Sequence, residues 1–404
     1  MIERKEYLSE LLKWKDDNVI KIITGIRRCG KSTLLKLFKN HLIEIGVSEE
    51  NIIDINFEDL KNEELTDYKA LYEYICSRLK KGKMTYILLD EIQNVKEFQK
   101  AIDSLYIQEN TDIYLTGSNA YMLSGEIATL LSGRYVEISM LPFSFKEYCL
   151  LNATTGDKET VFREYMGYGG FPYVSEIVRD REKAYQYLDG IFNTIIVKDV
   201  EERKNREYGK NRASDVSVLR AVTKYLADVV GSLISIKGIS DYLTSNNRKI
   251  SVHTVNDYVN ALTEAFVFYP AERFDLQGKE ILKTNKKYYI VDMGLKNILT
   301  TKRNTDLGYS LENVVYLELL RRGYKVYVGK YGTKEVDFIA KKNDSIHYYQ
   351  VSAALTDEKT FDREITPLKE IKDNYPKTIL TLDKFTQGNY DGIIVENIIE
   401  WLLD

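Results

Sequence analysis

An apolar run, Val19–Thr24, leads straight into Gly25-Ile26-Arg27-Arg28-Cys29-Gly30-Lys31-Ser32, and an amphipathic helical pattern starts at Lys31. These eight residues match G-x-x-x-x-G-K-[ST] at every fixed position, and they sit between a strand and a helix as that motif requires. Its glycines let the backbone wrap so that N–H groups turn inward toward an anion. The helix N-terminus adds partial positive charge at the same spot. A chain built around this element needs a parallel sheet covered by helices.

The rest of the first 140 residues supplies one. Short, near-continuously apolar runs recur at Ile52–Phe57, Tyr86–Leu89, Ile113–Thr116 and Tyr135–Ser139, as strands buried on both faces must. Between the first two strands, Leu34, Leu35, Phe38, Leu42 and Ile45 repeat at helical spacing and stop at Gly46, a C-cap signal. Phe98, Ala101, Ile102 and Leu105 do the same before the fourth strand.

This frame assigns chemistry to particular side chains. Lys31 is expected to reach the β- and γ-phosphates of ATP, and the Ser32 hydroxyl to ligate Mg2+. Gly25, Arg28, Cys29, Gly30 and Thr33 complete the expected nucleotide contacts. The run Tyr86-Ile87-Leu88-Leu89 delivers Asp90 and Glu91 to the carboxyl end of a strand. Asp90 is placed to hold a metal-bound water, and Glu91 to orient or deprotonate the attacking water. Ser118 and Asn119, after the strand Ile113–Thr116, either bridge that water to the γ-phosphate or cap the next helix. Arg134, just before the fifth strand, either stabilises leaving-phosphate charge, within the chain or from a neighbouring subunit, or forms a surface ion pair.

Beyond Pro142 the alternation gives way to helical patterns, with a turn at Gly167–Pro172 and a charged stretch, Lys198–Arg212, that reads as a solvated helix or linker. Helices are expected at Asp215–Val230, Ile239–Leu243 and Val252–Ala265, then strands at Phe266–Tyr269 and Tyr288–Val291. Three helices and a hairpin are the parts of a winged helix-turn-helix. The last hundred residues return to mixed α/β. A helix is expected at Leu311–Arg321, strands at Lys325–Val328, Val336–Ala340 and His347–Val351, and a helix at Glu364–Asn374.

Further motifs follow the phosphate loop in order: Ile-Asn-Phe-Glu-Asp (55–59), Leu-Asp-Glu-Ile-Gln (89–93), Leu-Thr-Gly-Ser-Asn-Ala (115–120), Ser-Gly-Arg-Tyr-Val-Glu-Ile (132–138), Leu-Pro-Phe-Ser-Phe-Lys-Glu-Tyr (141–148) and Gly-Gly-Phe-Pro (169–172). With these, essentially the whole chain resembles a large prokaryotic family of AAA-type ATPases whose C-terminal part is a restriction-endonuclease-like domain of unknown function. The resemblance implies an ASCE P-loop core at 1–141, in which the strand ending at Thr116 lies between the two strands bearing the site. It also implies a helical lid or linker at 142–208, a winged-helix-like domain at 209–300 and the endonuclease-like domain at 301–404. It supplies no substrate.

In nucleases of the PD-(D/E)xK kind, a helix glutamate and a strand aspartate help hold magnesium, and an acid two residues before a lysine completes the site. Glu312 and Asp337 match the first two. Gln350 and Ser352 stand where the acid and the lysine are expected, which removes the positive charge that activates water. The domain is therefore expected to serve as a scaffold or interaction surface. In the winged-helix region, Val252–Ala265 is the candidate recognition helix, opening with Ser251, His253, Thr254 and Asn256. It carries Asp257 and Glu264 and no Lys or Arg; the nearest cations are Arg248 and Lys249. DNA binding usually shows a basic face, because phosphate contacts supply much of the affinity.

Net charge of −4 argues against coating nucleic acid by bulk electrostatics. No apolar run approaches the ~20 residues of a membrane span, residues 1–14 lack the apolar core of a signal peptide, and three scattered cysteines form no metal or disulfide spacing. A cytoplasmic setting is expected. Three readings stay open: an ATPase driving a conformational or assembly switch, with a homo-oligomer as its candidate assembly; an ATP-gated DNA-binding protein; and an ATP-regulated nuclease.

Overall fold

In a computed structural model, residues 2–120, 131, 133–151, 157–196, 200, 216–246, 248–300 and 307–404 are described. The charged stretch Lys198–Arg212 lies outside them apart from Val200. The chain forms two compact units, residues 1–140 with 264–266, and 141–263 with 267–404. Among the described residues no helix is long and apolar enough to cross a membrane.

The first unit is a five-stranded parallel sheet. Its strands are β1 (Ile20–Thr24), β2 (Ile52–Asn56), β3 (Thr85–Asp90), β4 (Thr111–Gly117) and β5 (Tyr135–Ser139), in the order β2-β3-β4-β1-β5. The strand ending in Thr116 thus separates the phosphate-loop strand from the Asp90 strand, as the resemblance implied. Helices α1 (Lys5–Lys13), α2 (Lys31–Glu44), α3 (Tyr68–Cys76) and α4 (Phe98–Tyr106) flank it. Ile22, Ile87, Leu89, Ile113 and Leu115 pack with Ala101, Ile102 and Leu105 of α4 in one core. Ile45, expected on the apolar stripe of α2, is instead exposed beyond the helix end. The strands are not wholly apolar: Lys21 of β1 is buried, and its ammonium lies 2.6 Å from Asp112 Oδ1 of β4.

The second unit begins with helices α5 (Phe145–Leu151), α6 (Lys158–Tyr168), α7 (Pro172–Ile177) and α8 (Arg181–Thr194). Then come α9 (Val216–Asp228), α10 (Ile236–Ser245) and α11 (Val252–Glu264), followed by the hairpin β6 (Phe268–Asp275) and β7 (Glu280–Ile290). Helices α12 (Met293–Leu299) and α13 (Leu307–Arg321) lead into β8 (Lys325–Tyr331), β9 (Lys334–Lys342) and β10 (Ser345–Ser352). The chain ends with α14 (Glu358–Glu370), β11 (Lys377–Thr381), β12 (Gly388–Tyr390), β13 (Ile393–Asn397) and α15 (Ile398–Trp401). The last expected helix, placed at Glu364–Asn374, starts earlier because Asp357 caps it, accepting from Thr360 N, and it ends at Glu370.

One departure from expectation concerns the hairpin. It does not stand apart as a wing: β6 pairs with β7 on one side and in parallel with β8 on the other. It therefore forms one edge of an eight-stranded mixed sheet, β12-β13-β11-β10-β9-β8-β6-β7. A boundary at 300 passes through the connection between strands of one sheet. Both hairpin strands run longer than expected, because adjacent charges (Glu272-Arg273 and Lys286-Lys287) interrupt their period-2 pattern.

The Gly-Gly-Phe-Pro motif finds its physical reason in this unit. Gly170 N donates to Asp292 Oδ2 at 2.6 Å, and Asp292 caps α12 by accepting from Leu295 N at 3.1 Å. Gly169 has φ 77°, and a Cβ there would lie 2.1 Å from Asp292 Oδ1. Only glycine fits both demands.

Candidate functional site

The parallel register of the first sheet brings the ends of β1, β3 and β4 together, so that Gly25, Asp90 and Ser118 emerge at one carboxyl edge. The loop after β1 turns at Gly25, φ 147°, where a Cβ would fall 2.1 Å from Met140 O. Gly30, φ 108°, precedes the first turn of α2. Between them Arg28 takes a left-handed conformation, φ 68°, as does Glu91 across the site, φ 55°. Non-glycine residues held there cost on the order of 1–3 kcal/mol each and persist where the surroundings over-determine them.

Lys31 is buried, with its Nζ 3.0 Å from Gly25 O, 3.2 Å from Ile26 O and 3.7 Å from Glu91 Oε1. Asp90 is held by three donors. Thr116 Oγ1 donates to Oδ1 at 2.5 Å, Asn56 Nδ2 to Oδ2 at 2.9 Å, and the Ser32 hydroxyl also bonds it. Burial pushes the Asp90 carboxyl up, and the Thr116 and Ser32 hydroxyls offset only part of that. Glu91 goes the other way: burial raises it, but Lys31, then the Gln93 amide, Arg27 and Ser118 together hold it below the usual carboxylate range. Glu91 is therefore ionised at neutral pH beside a buried ammonium. Its Oε2 accepts from Gln93 Nε2 and, at 3.2 Å, from Ser118 Oγ.

Lys31, Ser32, Asp90, Glu91 and Ser118 are thus brought together, with Gly25 and Gly30 shaping the loop. Ser118 faces Glu91, while most of the residues it could cap lie outside the described ones. Asn119 follows it at the strand end, and residues 121–130 beyond lie outside the described ones. Arg28 is exposed, and Thr33 sits half-buried in the first turn of α2. Cys29 is fully buried, its thiol pushed up by that burial, and its N–H donates to Ile26 O at 3.3 Å; the side chain packs inward.

Arg134 is not brought to the site within this chain. Its carbonyl accepts from Ile20 N, at the start of β1, whereas Gly25 follows the end of that strand. Five residues at ~3.3 Å each put roughly 16 Å between them. The Arg134 guanidinium pairs with Asp103.

Four participants were not singled out from sequence. Asn56 and Gln93 lie within quoted motifs, and Thr116 ends the β4 run, but nothing local shows what they bond. The fourth is Arg4, buried, with φ 47°, whose Nη1 donates to Cys29 O at 3.1 Å and ties the N-terminal segment to the phosphate loop. No signal in residues 1–14 marks it.

Comparison with known proteins agrees with this geometry. Residues 17–149 match the model of an AAA domain, and residues 159–306 that of a domain of unknown function. An uncharacterized protein of Haemophilus influenzae is 42% identical over 100% of this chain and 99% of its own length. Another, of Methanocaldococcus jannaschii, is 32% identical over 94% of this chain and 85% of its own. Among solved structures, a Walker-type ATPase of Pyrococcus abyssi shares the fold with a TM-score of 0.50 at 16% identity, covering 74% of this chain and 96% of that one. With a converged phosphate loop and acidic strand end on a sheet of order β2-β3-β4-β1-β5, the chain belongs, together with these bacterial and archaeal relatives, to a family of AAA-type P-loop NTPases that carry a C-terminal domain of unknown function.

Proposed function

We propose that the protein binds ATP with Mg2+ and hydrolyses it, and that turnover drives a conformational or assembly switch of its C-terminal part in the cytoplasm. The observation that carries this reading is the convergence of two distant segments: Lys31 Nζ lies 3.7 Å from Glu91 Oε1, while Ser32 is hydrogen-bonded to Asp90.

Each residue then has a task. Loop amides from Gly25 to Thr33 surround the phosphates, and Lys31 exchanges its loop carbonyls for phosphate oxygens. Ser32 and Asp90 are the residues that would hold Mg2+, which takes few protein ligands and would supply neutralisation of phosphate charge. Glu91, ionised and aimed by Gln93 and Ser118, takes the proton of the attacking water. Asn119 is close enough in sequence to share the γ-phosphate with Ser118. Arg134, at the opposite end of β1, serves only from a neighbouring copy, which makes a homo-oligomer part of the proposal.

The DNA-binding reading has less support. Ser251, His253 and Asn256 are exposed at the start of α11, but Arg248 is engaged with Ser217 O at 2.7 Å, and His253 faces Asp257. An ATPase assay with and without duplex DNA separates the two readings.

The decisive experiment compares Lys31→Ala and Glu91→Gln with wild type by calorimetric ATP titration and phosphate release. Lys31→Ala should lose nucleotide affinity. Glu91→Gln should keep it and lose about 10²–10⁴-fold in turnover, the usual worth of a general base. Unchanged affinity and turnover in Lys31→Ala would end this reading.

A further inference from the structure

A second cluster of charge lies in the C-terminal unit, in a cleft of about 1180 Å³ lined by Glu312, Glu335, Asp337, Gln350, Glu364 and Lys287. Glu312 on α13 and Asp337 on β9 are the pair expected to hold magnesium in a PD-(D/E)xK site, with Ser352 where such a site has its lysine. The positive charge missing from β10 is supplied by another strand: Lys287, on β7, is 3% exposed, and its Nζ lies 3.2 Å from Glu312 Oε2 and 2.8 Å from Glu335 Oε1.

The remaining candidate ligands are engaged as well. Glu312 Oε2 also accepts from Tyr289 OH at 3.3 Å. The ladder between β9 and β10 ends at Phe338 and Tyr349, and beyond it side chains continue the pairing. Gln350 Oε1 accepts from Asp337 N at 3.2 Å, and Asp337 Oδ2 from Val351 N at 2.8 Å. With its oxygen so used, Gln350 turns its amide nitrogen to Glu364 Oε2 at 2.7 Å, and Arg363 covers Glu364 Oε1 at 2.7 Å. Flipping the amide would set donor against donor and acceptor against acceptor, so this orientation is the one the network allows. Among the described residues, no three of His, Cys, Asp or Glu converge as a metal cage.

We propose that the Lys287 ammonium is the resident cation of this cleft, occupying the place a divalent metal holds in pockets of this kind, so that the cleft takes up metal only when Lys287 is removed. The geometry agrees: a buried ammonium within 3.2 Å of Glu312 and 2.8 Å of Glu335 is the counter-charge that these carboxylates require. Removing that charge leaves Glu312 and Glu335 facing each other uncompensated, a strongly unfavourable arrangement that a bound dication relieves.

The test is Mn2+ binding, followed by its electron paramagnetic resonance signal without nucleotide, for wild type, Lys287→Met and Lys287→Met/Glu312→Gln. An Asp90→Ala background keeps the phosphate-loop site out of the count. The expected result is no Mn2+ in the cleft of wild type, one equivalent gained in Lys287→Met, and its loss in the double variant. Mn2+ bound to wild type and lost on Glu312→Gln overturns the proposal, and so does a folded Lys287→Met that takes up none. Should Lys287→Met be unfolded in EDTA, circular dichroism during Mn2+ addition decides: recovery of structure supports the proposal, and its absence overturns it.

Discussion

The Thr116 hydroxyl joins the two acidic residues of the nucleotide site, donating to Asp90 Oδ1 at 2.5 Å while accepting the Glu91 N–H at 2.8 Å. A single side chain on β4 thereby sets the position of one carboxylate and the backbone of the next. It sits at the carboxyl end of β4, still within the strand, so its own geometry is fixed by the sheet rather than by the loop.

Thr116→Val keeps the volume and removes both bonds. Hydrogen bonds to charged groups contribute about 1.5–3 kcal/mol, so turnover should fall roughly ten- to hundredfold, with ATP affinity little changed. Steady-state phosphate release beside calorimetric titration measures both, and equal loss in the two would point to a damaged loop instead.

Arg134 lies too far along β1 from Gly25 to serve its own nucleotide. If Arg134 acts from a neighbouring copy, Arg134→Ala and Lys31→Ala should each be inactive alone, and mixing them should restore part of the wild-type turnover, because one kind of subunit keeps an intact loop and the other an intact arginine. Failure to recover activity, in mixtures shown by mass measurement to co-assemble with a non-hydrolysable ATP analogue, removes Arg134 from the reaction.

Lys21 and Asp112 form a fully buried pair, with Asp16 N and Tyr114 OH also bonded to Asp112 Oδ2. Asp112→Ala strands the ammonium and should cost about 3–5 kcal/mol. Lys21→Met/Asp112→Leu removes both charges and should recover most of that loss. Urea unfolding of the three proteins reads the difference directly.

Asp292 carries a pH dependence. Burial raises its carboxyl from 3.8 to about 6, although the Gly170, Leu295 and Gly294 amides act against the rise. The fold thus favours the neutral form, so this group's contribution is whole below pH 3.8 and is lost as pH climbs through about 6. A shift of about two units corresponds to roughly 3 kcal/mol. The melting temperature of wild type should decline from pH 4 to 7 relative to Asp292→Asn, which cannot ionise; parallel curves would refute the assignment.

What could be read from sequence followed from how local each signal is. The phosphate loop, the Asp90–Glu91 strand end and the apolar strands of the first sheet each declare themselves within ten residues. Lys21 and Asp112 do not, since a lysine inside a strand makes sense only once a carboxylate ninety residues away is beside it. Lys287 was hidden for the same reason: next to Lys286 it looks like one more solvated charge, and its partners Glu312 and Glu335 reach it only through tertiary structure. The hairpin's fate was equally invisible, because backbone pairing between β6 and β8 leaves no mark in side-chain pattern.

That shared ladder restricts how the chain can be cut. A fragment stopping near residue 300 would strip β8 from β6 and leave a raw row of amides and carbonyls, an invitation to pair with another copy. Excised middle helices would thus aggregate for reasons unrelated to their own stability. A usable fragment of this region therefore has to carry β8 along with the hairpin.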